Sequence, residues 1–340
     1  MPPSSLDELR KTVMAQGQGA MALNLAFIGV TSGVFESLAQ AGPSSVDDIA
    51  TSGKLDRAYV LRFCEAAFAF GYFDEKDGRY SLTDLGAAFR PDVPGTLMPL
   101  AVQAVLGAHM AERAAAFIRT GERPGERVLA ERATILPWFG PMLEASFGPF
   151  FEREILPGVS AYREVDERGG VALDLGCGNG WYLRRMVARL PHLHGIGLDG
   201  FEENIRQARD HAEAEGLGAR LEFRTGDIYG HTSDEPVDLV AMNRALHHVW
   251  DQRDKVFGIL RDALKPGGVA VIWEPNWPRD LSSLRELPRR GMAFQNLSEH
   301  VQGNHFLRNE EIAAAFASVG MRSETFLFGG GTEAVVVGRR

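Results

Sequence analysis

The second half of the chain predicts an α/β domain built on a parallel sheet, and the first half predicts a mainly helical domain ending in a small hairpin. Two observations carry this. Residues 171–180 read VALDLGCGNG, an apolar strand that breaks into Gly176, Gly178 and Gly180, as a strand buried on both faces does where it enters a tight turn. Further strands follow at 195–198, 221–223 and 237–242, and another is VAVIWEP after LKPGG. By contrast, residues 11–40 place Leu23, Phe27, Val30, Val34 and Leu38 at three- and four-residue steps, a helical period.

Each element of the second half has a chemical reading. The glycines let the backbone take positive φ and approach a ligand closely. A helix from about 181 to 190 then turns its free N–H groups toward them. Such a unit is a nucleotide or nucleoside site, and its G-x-G-x-G spacing differs from the G-x-G-x-x-G of dinucleotide folds. Asp174 stands beside the turn. The strand at 195–198 ends in Asp199, nineteen positions beyond Gly180, where a carboxylate suits a bidentate hydrogen bond to ribose hydroxyls. The strand near 221–223 leads into RTGDIYG and puts Asp227 where it could accept from an adenine amino group.

Composition bounds the partners. The net charge is −9 and no basic run exceeds a few residues, which argues against nucleic acid. Two cysteines, Cys64 and Cys177, lie far apart in apolar or glycine-rich surroundings, as in a reduced cytoplasmic protein. Residues 1–10 lack a signal-peptide pattern, and the apolar stretch at 20–30 is too short to span a bilayer. The expectation is a soluble cytoplasmic protein of two domains.

Taken together, DLGCGNG, Asp199, Asp227, NRALHHVWD after the fourth strand, LKPGG with VAVIWEP, and a closing pair at 323–328 and 333–337 resemble the class I S-adenosylmethionine (SAM) methyltransferases. The resemblance covers roughly residues 165–340. It implies a Rossmann-like seven-stranded sheet with a C-terminal antiparallel hairpin. It also implies SAM as methyl donor, held by Asp174, Gly176, Gly178, Asp199, Gly226, Asp227, Ile228 and Asn243.

In the first half, residues 44–90 predict a winged helix. SSVDDIATSG has a serine cap and an acidic first turn, DRAYVLRFCEAAFAFG is stopped by Gly71, and YFDEKDGRYSL is a hairpin turning at Asp77-Gly78. DNA binding is not expected, because its second helix offers only Arg57 and Arg62 and the wing carries Asp74, Glu75 and Asp77. The segment resembles the dimerisation domain of two-domain small-molecule O-methyltransferases, implying a homodimer. The resulting domains are 1–95, a helical connector and substrate roof at 96–164 rich in aromatics (Trp138, Phe139, Phe147, Phe150, Phe151), and 165–340.

The histidines choose the chemistry. His247-His248 follows the fourth strand, where the O-methyltransferase pattern has His-Asp and the histidine deprotonates a phenol. LSEHVQGNHFL adds His300 and His305 in a segment expected to cover the substrate. Two imidazoles begin a metal site with open positions. This arrangement resembles the α-keto acid C-methyltransferases, whose two metal-binding histidines are separated like His248 and His300. The implied reaction is methylation of the β-carbon of a 2-oxo acid. An iron or zinc ion on His248 and His300 would stabilise the enolate, His247 would be the base, and Arg132 (or Arg127) would hold the carboxylate; the metal pairing could instead use His247, with His305 a supporting or capping residue. The competing expectation is metal-free O- or N-methylation of a small secondary metabolite with His247 as base.

Overall fold

The structure is a computed structural model that describes residues 5–232 and 235–340. The chain separates into two compact units, Met1–Glu112 with Arg132–Ser146, and Arg113–Glu131 with Phe147–Arg340. The 96–164 connector is therefore divided between them and is not a third body.

The first unit opens with the helix Leu6–Thr31, started by a capping box in which Ser5 and Glu8 satisfy each other's backbone N–H. Its second half buries Ala26, Phe27 and Val30, whereas Leu6, Leu9, Val13 and Met14 are exposed. At 26 residues this is the one helix, among the described residues, long and apolar enough to cross a membrane. The expectation that this stretch is too short is corrected, because the helix begins well before residue 20. Helices Val34–Ala41, Val46–Gly53 and Arg57–Ala69 follow, with Ser45 and Asp56 as side-chain caps. Strands β1 (Phe73–Lys76) and β2 (Arg79–Leu82) pair antiparallel. They turn through Asp77 and Gly78 at φ of 51° and 75°, the left-handed pair that a two-residue hairpin needs. The winged helix read from the sequence is present. Phe35, Phe63 and Phe73 meet at 5.7–6.3 Å in its core, and Trp138 and Phe139 pack on the same cluster.

The second unit is a seven-stranded sheet in the order β5-β4-β3-β6-β7-β9-β8. Its strands are β3 (Val171–Leu175), β4 (His194–Asp199), β5 (Leu221–Thr225), β6 (Val237–Asn243), β7 (Leu264–Pro275), β8 (Arg322–Phe328) and β9 (Glu333–Arg339). The first five run parallel, and β9 is antiparallel to both β7 and β8. Parallel neighbours require crossovers, supplied by helices such as Trp181–Arg189, Glu202–Ala214 and Arg253–Asp262. Strand order reverses between β3 and β6, so the crevice outside their carboxyl ends is where this class of sheet receives a ligand. Trp273, fully buried on β7, gathers Phe147, Phe150, Phe151, Trp181 and Tyr182 around it at 6.0–6.4 Å. Three rings expected to roof a substrate are thus placed against Trp273.

Candidate active site

At the β3/β6 crevice the glycine turn takes its predicted form. Gly176, Gly178 and Gly180 have φ of 79°, 54° and 74°. A Cβ on Gly180 would lie 2.6 Å from the Phe223 ring, so strand and helix pack closely there. A Cβ on Gly178 would meet nothing within 4 Å, so its glycine answers to the backbone conformation and faces open space.

Asp199 ends β4 and ties this turn together. Its Oδ2 accepts from the Gly178 N–H at 2.9 Å, and its Oδ1 accepts from the Phe201 N–H at 2.9 Å and the Asn204 amide at 3.1 Å. Asp174 ends β3 fully buried. Burial first, and the Asp199 charge second, push its carboxyl up to about 8. Asp227 caps the turn Ile228–Gly230 by accepting from the Tyr229 N–H at 2.9 Å, and the Gly226 N–H donates to the Asp199 carbonyl at 2.9 Å. Asp174 Oδ1, Asn243 Oδ1 and Asn179 Nδ2 are buried without a hydrogen-bond partner. Orphaned polar atoms on this scale call for a ligand that satisfies them, and the residues present fit a donor carrying ammonium, carboxylate and hydroxyl groups.

A second polar cluster lies beyond β6. There the turn Leu246–Gln252 presents two adjacent imidazoles with ring centroids 4.2 Å apart. Each is held by a carboxylate on its Nδ1. For His247 the partner is Glu274 at the end of β7, 2.7 Å away and 0% exposed. Glu274 also accepts the Leu246 N–H at 2.8 Å. Burial alone would raise the Glu274 pKa, but the charge and hydrogen bond of His247 outweigh it and lower the value. An Nδ1–H donated to Glu274 leaves Nε2 of His247 as the basic atom.

For His248 the partner is Glu126, 2.9 Å from Nδ1. Asn304 lies 2.8 Å from the same nitrogen. The Asn304 atom there is its amide nitrogen Nδ2, which can only donate, so His248 Nδ1 serves Glu126 or Asn304 according to its tautomer. Burial works to lower the His248 pKa, yet the Glu126 hydrogen bond and the charges of Glu299, Glu126 and Glu274 leave it raised.

His300 and His305 are both exposed. The residue before each one faces the histidine pair instead. Glu299 Oε2 lies 3.8 Å from His247 Nε2, and Asn304 reaches His248. The group able to surround a cation is His247, His248 and Glu299, whose ligand atoms lie within 4.8 Å of one another. The expected His248–His300 pairing is corrected accordingly. Helix period explains the offset, since Glu299 lies seven residues beyond buried Met292 in Leu287–Val301 and shares its face. Arg132, expected to hold a carboxylate, belongs to the first unit, where it donates to His109 at 3.1 Å and Glu112 at 3.3 Å. Arg127 stands in the short helix Arg127–Ala130 of the second unit.

Comparison with known proteins defines the class. Residues 172–268 match the family described as a methyltransferase domain. The O-methyltransferase SfmM3 of Streptomyces lavendulae is 30% identical over 241 residues, which is 67% of this chain and 68% of that protein. A 37.1 kDa protein of transposon TN4556 from Streptomyces fradiae is 38% identical over 118 residues, 33% of this chain and only 32% of its own length. Among solved structures, an O-methyltransferase family protein from Burkholderia thailandensis superposes with a TM-score of 0.73 at 17% identity, covering 99% of this chain and 98% of its own. The chain belongs to the O-methyltransferase-like family of class I SAM-dependent methyltransferases.

Proposed function

We propose that the protein transfers a methyl group from SAM to an oxygen or nitrogen of a small metabolite, with His247 as general base. The His247–Glu274 dyad carries this reading. A buried carboxylate on Nδ1 fixes the tautomer that leaves Nε2 able to take a proton, and it favours the imidazolium formed by that transfer. When bound, SAM supplies a methyl group already activated on a sulfonium. The chain's part is to hold the acceptor, remove its proton at His247 Nε2 and exclude water. The O-methyltransferase relative from Streptomyces lavendulae supports the same reading.

The test is His247→Ala, assayed with labelled SAM against a panel of phenols and amines. Methyl transfer should fall about 10²- to 10⁴-fold while calorimetric SAM affinity holds. Turnover within a few-fold of the parent would remove His247 from the role.

A second reading, β-carbon methylation of a 2-oxo acid, is favoured by one observation, the His247–His248–Glu299 group. Two imidazoles and a carboxylate suit iron or zinc, with Glu299 in place of His300. Metal analysis of protein purified without chelators separates the two readings. We also read the exposed apolar side chains of Leu6–Thr31 as the face for a second copy of the chain.

A further inference from the structure

The acceptor side of the second unit is short of positive charge. Glu126, Glu274 and Glu299 surround His247 and His248, and Glu333 lies nearby. The neighbouring guanidinium, Arg244, is bound to Glu333 at 2.7 Å and lies over the Phe147 ring. Glu126 and Glu274 each have an imidazole N–H. Glu299 does not. It is 8% exposed, and among the described residues no lysine or arginine forms an ion pair with it. Its contacts are His247 Nε2 at 3.8 Å, too long for a hydrogen bond, and the Gln302 amide nitrogen at 3.1 Å.

Gln302 supplies the second observation. It is 9% exposed, and its Oε1 is buried with no partner. Turning the amide over would place that oxygen against the Glu299 carboxylate, so the carboxylate fixes the orientation. A buried carboxylate with no cation and a buried amide oxygen with no donor therefore lie together, beside the atom of His247 that takes the acceptor's proton. Leaving such groups unmatched is costly. A ligand bearing several N–H bonds and a positive charge matches both.

We propose that the natural acceptor carries an ammonium group, received by Glu299 and Gln302 while its hydroxyl or second nitrogen faces His247. This rests on the reading of His247 as base and names the acceptor class for it. The ammonium's N–H groups donate to Glu299 and the Gln302 oxygen, and its charge offsets that of Glu126 and Glu274. An acceptor whose only charge is a carboxylate meets the same groups with the wrong sign.

The experiment measures binding, so it does not depend on turnover. Protein saturated with S-adenosylhomocysteine and stripped of metal is titrated with tyramine, p-cresol and 4-hydroxyphenylacetate. Tyramine should bind about tenfold to a hundredfold tighter than p-cresol, with 4-hydroxyphenylacetate weakest. Glu299→Gln should bring tyramine down to the p-cresol level. If that variant does not fold, the ranking in the parent protein decides alone.

Equal affinities, absence of tyramine binding at millimolar concentration, or a tyramine preference that survives Glu299→Gln would each overturn the proposal. So would tighter binding of phenylpyruvate than of tyramine once ferrous or zinc ion is added, which would make Glu299 a metal ligand. Failure of the base assignment is read separately, from methyl transfer by His247→Ala.

Discussion

Replacing Asp174 with asparagine should stabilise the donor-free protein at pH 7 while weakening its hold on SAM. Burial, with Asp199 second, moves this carboxyl from 3.8 to about 8. An acid whose folded pKa lies above its unfolded one gains a proton on folding. Its favourable share is complete below the unfolded value and is lost as pH rises, from about pH 4 to about pH 8. At pH 7 the unfolded carboxyl is about three decades past its midpoint, whereas the folded one is still mostly protonated. Keeping it in place then costs roughly 4 kcal/mol, at ~1.4 kcal/mol per decade. Asparagine has the same outline without the charge, so the gain should fall between about 1 and 4 kcal/mol, reduced by the buried N–H groups it brings. Near pH 4 the gain should vanish. Urea denaturation of both proteins at pH 5, 7 and 8 measures this directly. Calorimetry adds the functional half. A cationic ligand favours the ionised carboxylate, so SAM binding near pH 7 should release a proton in the parent and none from this site in the variant. A variant less stable than its parent at pH 7, with the same dependence of stability on pH, would refute the reasoning.

Two further outcomes are expected. If Asp199 holds the ribose, Asp199→Ala should weaken SAM binding by roughly 1.5–3 kcal/mol, since that contact and the anchor of the Gly178 N–H are lost together; an unchanged calorimetric Kd would show the contact to be misassigned. Arg244→Ala should lower stability by about 3–5 kcal/mol in chemical denaturation, because it strands Glu333, whose carboxyl burial already pushes up; a loss under 1 kcal/mol would mean that Glu333 takes up a proton at little cost.

The sheet was legible because its signals are local. Val171 to Gly180 states strand, turn and helix within ten residues, and Asp77-Gly78 states a hairpin within two. Asp174 and Asp199 were legible as positions for the same reason, each near the end of a strand. The acceptor side was not, because it is assembled from distant segments. Glu126, Glu274 and the stretch from Glu299 to Asn304 lie on three separate segments and meet around the histidine pair. His300 is exposed whereas Glu299, one residue earlier, faces His247, and the burial of Met292 seven residues before it marks that face. Arg244 had no local signal, since its left-handed φ of 54° follows from reaching the Trp273 carbonyl and Glu333.

The interleaved chain path has a genetic consequence. The polypeptide passes between its two units three times, at 112/113, 131/132 and 146/147, and the excursion 113–131 brings Glu126 to His248. A single recombination event that grafted a foreign first half onto residues 147–340 would therefore import a stranger's residue opposite His248. Keeping that contact through an exchange of halves would require residues 113–131 to travel with residues 147–340.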